Sequence, residues 1–227
     1  METRYLRFRT FNRLREPFSE WTRLRRMQQM LRLSKLQAGM CVLDLGGTPE
    51  IWSYPFLPAL NITIVNLPGC IQKSGASQHN FRYIEGDACD IEGFSDQDFD
   101  FVFSNSVIEH VGGPARRAAF ANVIRRIGKS YWVQTPSVWF PVEAHNGMPL
   151  WWFYPDSLRR ALIERWRTKL PAWTEMVEGT TVLQRSELVR LFPEASVIVE
   201  RVLGFPKSYI AINVSRDAAT ERARNAA

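Results

Sequence analysis

The sequence predicts an α/β chain: a doubly wound, mostly parallel seven-stranded sheet, with an N-terminal helical cap and an aromatic-rich insertion after the fifth strand. Three observations predict it. Seven apolar runs of strand length follow one another between Cys41 and Val214. The first five end in polar or turn residues, as buried parallel strands do when their carboxyl ends open on a crevice. The first of them starts at Cys41 and ends in Asp44, with Gly46 and Gly47 close behind. Glycines at that point allow a tight turn and leave the backbone bare to a ligand. Their spacing departs from G-x-G-x-x-G, so hydride transfer is not the natural reading.

Ahead of that strand lies a basic segment, residues 1–38, with nine Arg and one Lys against Glu2, Glu16 and Glu20. Its balance of +7 accounts for all of the chain's net charge of +6, and the remainder, at −1, is close to neutral. An anionic partner is one reading of it and a solvated helix face the other. Over 17–36 the spacing of Phe18, Trp21, Leu24, Met27, Met30, Leu31 and Leu33 predicts a helix, with Ser19 as its N-cap and Gly39 closing it. Such a helix either covers the strand ends or packs on a sheet edge.

The body is 39–215. Beyond the glycine turn and a helix start, the second run is 62–66, followed by Leu67, Pro68 and Gly69. The third, 81–85, leads into Gly86, Asp87 and Ala88, and the fourth, 99–104, into Asn105, Ser106, Val107, Ile108, Glu109 and His110. Residues 115–127 read as a helix ended by Gly128, and the fifth strand, 131–135, stops at Pro136. The rhythm breaks over 136–181, which holds Trp139, Phe140, Trp151, Trp152, Phe153, Tyr154, Trp166 and Trp173. A helix over 186–191 and a hairpin of two late strands, 197–202 and 209–214, put an antiparallel strand at one side of the sheet. The tail, 216–227, is polar.

The 227 residues suit one domain of generous size, and 45% hydrophobic content is ordinary for a globular protein. No apolar run approaches the roughly 20 residues of a membrane span, and no secretory signal opens the chain. Cys41, Cys70 and Cys89 form no C-x-x-C pair, which argues against a disulfide framework and suggests a reducing, cytoplasmic setting.

In their order these features resemble the class I S-adenosylmethionine-dependent methyltransferases, more closely the methyltransferase type 11-like branch with a V-L-D-x-G-G-T start and an S-N-S-V-I-E-H-V segment. The resemblance spans about 38–215 and implies a seven-stranded Rossmann-like sheet whose last strand is antiparallel, with S-adenosylmethionine as cofactor. It also implies the site. Asp44, Gly46 and Gly47 shape the loop beneath the methionine end, where the ammonium needs an acceptor. Asn66, with Leu67, stands where an acid usually binds the ribose hydroxyls, and the missing charge weakens that contact by roughly 1 kcal/mol. Asp87 and the Ala88 amide meet the adenine edge, while Asn105 and Ser106 end near the methyl group.

In-line methyl transfer to a hydroxyl also needs a base. His145, with Glu143 nearby, is the expected substrate-facing one; His110 is the other candidate, and His79 reads as exposed in a polar loop. Glu109, His110 and His145 are ligand types for a divalent ion. Against the Glu-x-x-Glu-His pattern of metal-using relatives, however, Ser106 replaces the first Glu, so no metal is expected. The aromatic insertion suits a lid and wall for a small-molecule, glycan or lipid-type acceptor. A nucleic-acid methyltransferase is the alternative raised by the basic segment, with no RNA-binding module or Pro-Pro-Tyr segment to support it. A non-catalytic protein of the same fold is the other, encouraged only by Asn66.

Overall fold

The computed structural model describes residues 2–73 and 75–214, with side chains from Pro17 onward except at Ala172. The polar tail, and the side chains of five of the nine arginines in the basic segment, lie outside that description. The chain forms two units, one ending at Leu36 and the other beginning at Gln37.

The first unit is a single helix, α1 (Glu2–Ser34). It runs through Pro17, so Ser19 is an interior residue and not the N-cap; its carbonyl accepts a bond from Thr22 Oγ1 at 3.0 Å. Arg- and Leu-rich sequence on both sides, with Met27 and Met30 after it, outweighs the hydrogen bond that the proline removes. Nor does Gly39 close the helix. α1 stops at Ser34, Lys35 takes the left-handed conformation, and Gly39 turns the chain toward the first strand.

The second unit is a seven-stranded sheet. Its strands are β1 (Cys41–Leu45), β2 (Asn61–Asn66), β3 (Asn80–Glu85), β4 (Phe101–Asn105), β5 (Tyr131–Pro136), β6 (Ser196–Val202) and β7 (Phe205–Asn213). Their order is β3-β2-β1-β4-β5-β7-β6. β1 to β5 are parallel, and β7 runs antiparallel to both of its neighbours. The antiparallel strand thus lies one position in, with β6 as the edge. From β1 the chain winds outward through β2 and β3, then returns to the other flank of β1 at β4. That reversal is the point where open α/β sheets take ligands.

Alternation along the strands sorts the two faces. Leu43, Leu45, Val65, Val102, Tyr131, Val133 and Ala211 share a core with Phe120, Ile124 and Ile127 of α2 (Pro114–Ile127) and Leu188 of α5 (Arg185–Leu191). Val42, Asp44, Ile62, Ile64, Phe101, Phe103 and Trp132 are buried on the other face. The crossovers are leaner than the sequence predicts: the glycine turn leads into one 3₁₀ turn, Pro49–Trp52, and no helix separates β2 from β3 or β3 from β4 among the described residues. Prolines and glycines at Pro68, Gly69, Gly86 and Gly93 keep those links extended or turned. The aromatic insertion folds into two helices, α3 (Asp156–Arg167) and α4 (Pro171–Gly179). Trp151 stacks on Trp166 at 5.5 Å, and Trp166 meets Trp173 edge-on at 4.8 Å, so these three rings serve as a local core.

His79 is buried, not exposed. Its Nε2 lies 2.8 Å from the Trp52 carbonyl, and its Nδ1 accepts from the Leu60 amide at 3.2 Å, fastening the 3₁₀ turn to the start of β2. The same turn delivers Trp52 onto Phe103, ring centroids 5.0 Å apart, with its Nε1 donating to Asp44 Oδ2 at 2.8 Å. Burial, only partly offset by that bond, pushes the Asp44 carboxyl up from 3.8 to about 7. A carboxyl that holds its proton more tightly when folded stabilises the fold at low pH, and that contribution drains away as pH rises from about 4 through 7. Asp44→Asn should therefore gain stability relative to the parent chain, by about 1–3 kcal/mol, between pH 5 and pH 8 in urea titrations. Parallel stability curves for the two proteins would show that Asp44 keeps an ordinary pKa.

Candidate active site

Along the rim formed by the carboxyl ends of the parallel strands opens a cleft of about 250 Å³. Gly46, Asn66, Leu67, Gly86, Asp87, Ala88, Ser106 and His110 line it, with Val65, Val107, Val111 and Arg116. Seven of the residues singled out from sequence are therefore brought together: Gly46, Asn66, Leu67, Asp87, Ala88, Ser106 and His110. Asp44, Gly47, Asn105, Glu143 and His145 do not line the cleft.

The glycine turn explains part of this division. Gly46 has φ +74°, and a Cβ there would sit 2.8 Å from the Val107 methyls. At Gly47 a Cβ would fall 2.0 Å from Asp44 Oδ2, so the carboxylate occupies the space beneath the turn and is sealed under it. Asp44 is thus a strut under the loop and not a direct lining residue; its Oδ1 has no hydrogen-bond partner among the described residues. Asn66 braces the turn from the side: its Nδ2 donates to the Gly47 carbonyl at 3.3 Å, and its Oδ1 accepts from the Leu67 amide at 3.1 Å.

Asp87 turns the chain after β3 by accepting the Cys89 amide at 2.9 Å. Arg116, at the start of α2, places Nη2 at 2.8 and 2.7 Å from the two carboxylate oxygens while its Nε donates to the Val111 carbonyl at 2.9 Å. Burial is the largest single influence on the Asp87 carboxyl and raises its pKa, but the Cys89 amide and Arg116 together hold it below its usual value. Sequence reasoning missed Arg116; the signal was its position just after Gly112, Gly113 and Pro114, where a helix begins facing the strand ends. Ser106 ends β4 in the left-handed conformation, φ +58°, fixed by its amide on the Gln134 carbonyl (3.0 Å) and its Oγ on Gln134 Oε1 (2.9 Å). Strain of this kind in a non-glycine residue concentrates at working sites. Asn105 pairs in register with Gln134 of β5, outside the cleft wall.

At one end of the cleft the loops after β4 and β5 meet. His110 Nε2 lies 3.0 Å from His145 Nε2, and the rings are perpendicular. His145 Nδ1 is 2.8 Å from Glu143 Oε1, and Glu143 Oε2 accepts the His145 amide at 2.6 Å. A short bridge between Val142 and Pro149 folds this loop back on itself, and His145 lies against His110 without lining the cleft. His110, not His145, is the imidazole that reaches the cleft. Burial first, then the neighbouring His145, push the His110 pKa down to about 4 despite Glu143. Glu109 is fully buried alongside, its Oε2 accepting from Thr135 Oγ1 at 3.0 Å and its Oε1 3.9 Å from His145 Nε2. Ligand atoms of Glu109, His110 and His145 all lie within 4.8 Å of one another, an arrangement able to take a metal ion.

Comparison with known proteins agrees with this architecture. Residues 59–130 match the family model of the methyltransferase domain. No curated protein matches the chain in sequence. Among solved structures, it is similar to a chain of the Haloferax volcanii complex between the Trm112 methyltransferase activator and its candidate methyltransferase: 12% identity, 83% of this chain and 88% of that one covered, TM-score 0.50. A SAM-dependent methyltransferase of Methanosarcina mazei is 19% identical over 78% of this chain and 92% of its own, with a TM-score of 0.44. The fold of the chain is that of the class I methyltransferases, and its segment 59–130 carries the methyltransferase-domain signature.

Proposed function

We propose that the chain is an S-adenosylmethionine-dependent methyltransferase acting on a hydroxyl of a small-molecule or glycan/lipid-type acceptor. The observation that carries this reading is the cleft at the sheet's reversal point, walled by Gly46, Asn66, Leu67, Asp87, Ala88 and Ser106. Its chemistry suits the donor. Gly46 leaves bare backbone at the turn, Leu67, Val107 and Val111 offer apolar surface to a purine, and Asp87 can accept from an exocyclic amine. Asp44, with one oxygen unsatisfied, supports a cationic group bound over the glycine turn. When bound, the cofactor supplies the electrophilic methyl carbon.

The chain's own residues then align the acceptor, exclude water and take its proton. In the cation-free chain that last task falls to the imidazole pair: His110 meets the hydroxyl as general base, and His145, held by Glu143, stabilises the charge behind it. This reassigns the direct contact from His145 to His110. The exposed rings of Trp139 and Phe153, 5.5 Å apart, suit an apolar or sugar face of the acceptor. Cys41, Cys70 and Cys89 are free thiols, in keeping with a reducing, cytoplasmic setting.

Asp87→Asn keeps the turn but loses the charge, and should weaken S-adenosylmethionine binding about tenfold by calorimetry; an unchanged dissociation constant removes Asp87 from the nucleoside site. In an acceptor screen with labelled methyl donor over glycan, lipid and small-molecule fractions, with RNA as the competing class, His110→Ala should lower turnover about 100-fold or more at unchanged cofactor affinity. Full turnover in that variant rules out His110 as the base, and label found only in RNA rules out the acceptor class.

A further inference from the structure

We propose that Glu109, His110 and His145 form a divalent-cation site at the acceptor end of the cleft. For the task of that ion the inference rests on the methyl-transfer reading; for its binding it does not. The two Nε2 atoms face each other at 3.0 Å, and Glu109 Oε1 stands 3.9 Å from His145 Nε2. Two ligands each about 2.1 Å from one ion lie about 3.0–3.4 Å apart at right-angled to tetrahedral geometry and about 4.2 Å apart when opposite, so these two spacings fall within one coordination sphere, and the whole set, within 4.8 Å, closes on an ion with a small side-chain movement.

What separates this cluster from a chance meeting of polar side chains is the support behind each ligand. The far nitrogen of His145 is held by Glu143 Oε1 at 2.8 Å, the far oxygen of Glu109 by Thr135 Oγ1 at 3.0 Å, and His110 Nδ1 lies 3.3 Å from Thr180 Oγ1. A carboxylate on the non-ligating nitrogen fixes the tautomer and raises ligand basicity, an arrangement typical of metal-bound imidazoles. The carboxyl of Glu109 is fully buried, with Oε1 on the side of His145 where an ion would bring positive charge. Two imidazoles and one carboxylate suit Zn²⁺, Co²⁺, Mn²⁺ or Fe²⁺ and are too nitrogen-rich for Ca²⁺. Because His110 lines the cleft, an ion held by these three residues would have room to take the acceptor hydroxyl, which would become more acidic and release its proton to solvent, so that the ion would replace the imidazole pair as the activating group.

The test uses the full-length, tag-free chain, stripped with EDTA and dialysed, then titrated with CoCl₂ by visible absorption and with ZnCl₂ by calorimetry. One ion per chain is expected, with binding abolished in His110→Ala and His145→Ala and weakened about 10- to 100-fold in Glu143→Gln. Glu143→Gln keeps the size of the side chain and decides the matter if either histidine variant melts differently from the parent in EDTA. No stoichiometric binding at millimolar metal, or binding unchanged in all three variants, overturns the site. Methyl transfer from labelled donor is measured in parallel with EDTA present: a chain that transfers methyl and binds no ion keeps the proposed function and loses this inference.

Discussion

The buried carboxylate of Asp44 and the missing side chain of Gly47 are one constraint seen from two sides. Asp44 Oδ2 lies 2.0 Å from where a Cβ would be, so no other residue fits above the acid, and the acid can be buried only because glycine follows. Trp52 locks the arrangement by donating to the same oxygen, and His79 locks Trp52 by bonding its carbonyl. Asn66 then ties the end of β2 to the Gly47 carbonyl. These contacts hold the first two strand ends at a common rim. Without that rim, the cleft between Gly46, Asp87 and Ser106 has no floor.

Geometry elsewhere follows from where the chain leaves the sheet. In-register parallel strands bring Asn66, Gly86 and Ser106 to one edge, and the loops after β4 and β5, being neighbours there, meet each other. That is why residues as distant in sequence as His110 and His145 come within hydrogen-bonding distance. The long crossover from β5 to β6 carries α3 and α4 on a ladder of tryptophans, while Trp139 and Phe153 remain exposed with their rings 5.5 Å apart.

Much of this architecture was legible in the sequence, because strand-length apolar runs ended by turn residues fix both the sheet and the rim on which ligands gather. All seven strands, the helix after Gly113 and the helix before Phe192 are present in the predicted order, although β7 begins at Phe205, four residues before the expected 209–214. Less legible was anything decided by one side chain's local partners. Periodicity does not reveal whether a helix passes through Pro17, because helix-favouring neighbours can outweigh one lost donor. Nor does it reveal that His79 is buried, since that depends on a carbonyl 27 positions away. Asp44 was read as shaping the loop beneath the methionine end, and its carboxyl lies directly under Gly47; His145 was read as substrate-facing, and its Nε2 lies 3.0 Å from that of His110, outside the cleft lining. Arg116 escaped notice because its role comes from Asp87, on another crossover.

The account stands on the cleft being the seat of the methyl donor, and a crystal structure of the chain with S-adenosylhomocysteine tests that most directly. The expected complex has the amino-acid portion over the Gly46 turn, the adenine between Leu67 and Val111 with its amine toward Asp87, and the sulfur directed to the end where His110 meets His145. A nucleoside bound elsewhere, or a cleft closed by its own side chains at saturating ligand, would contradict it.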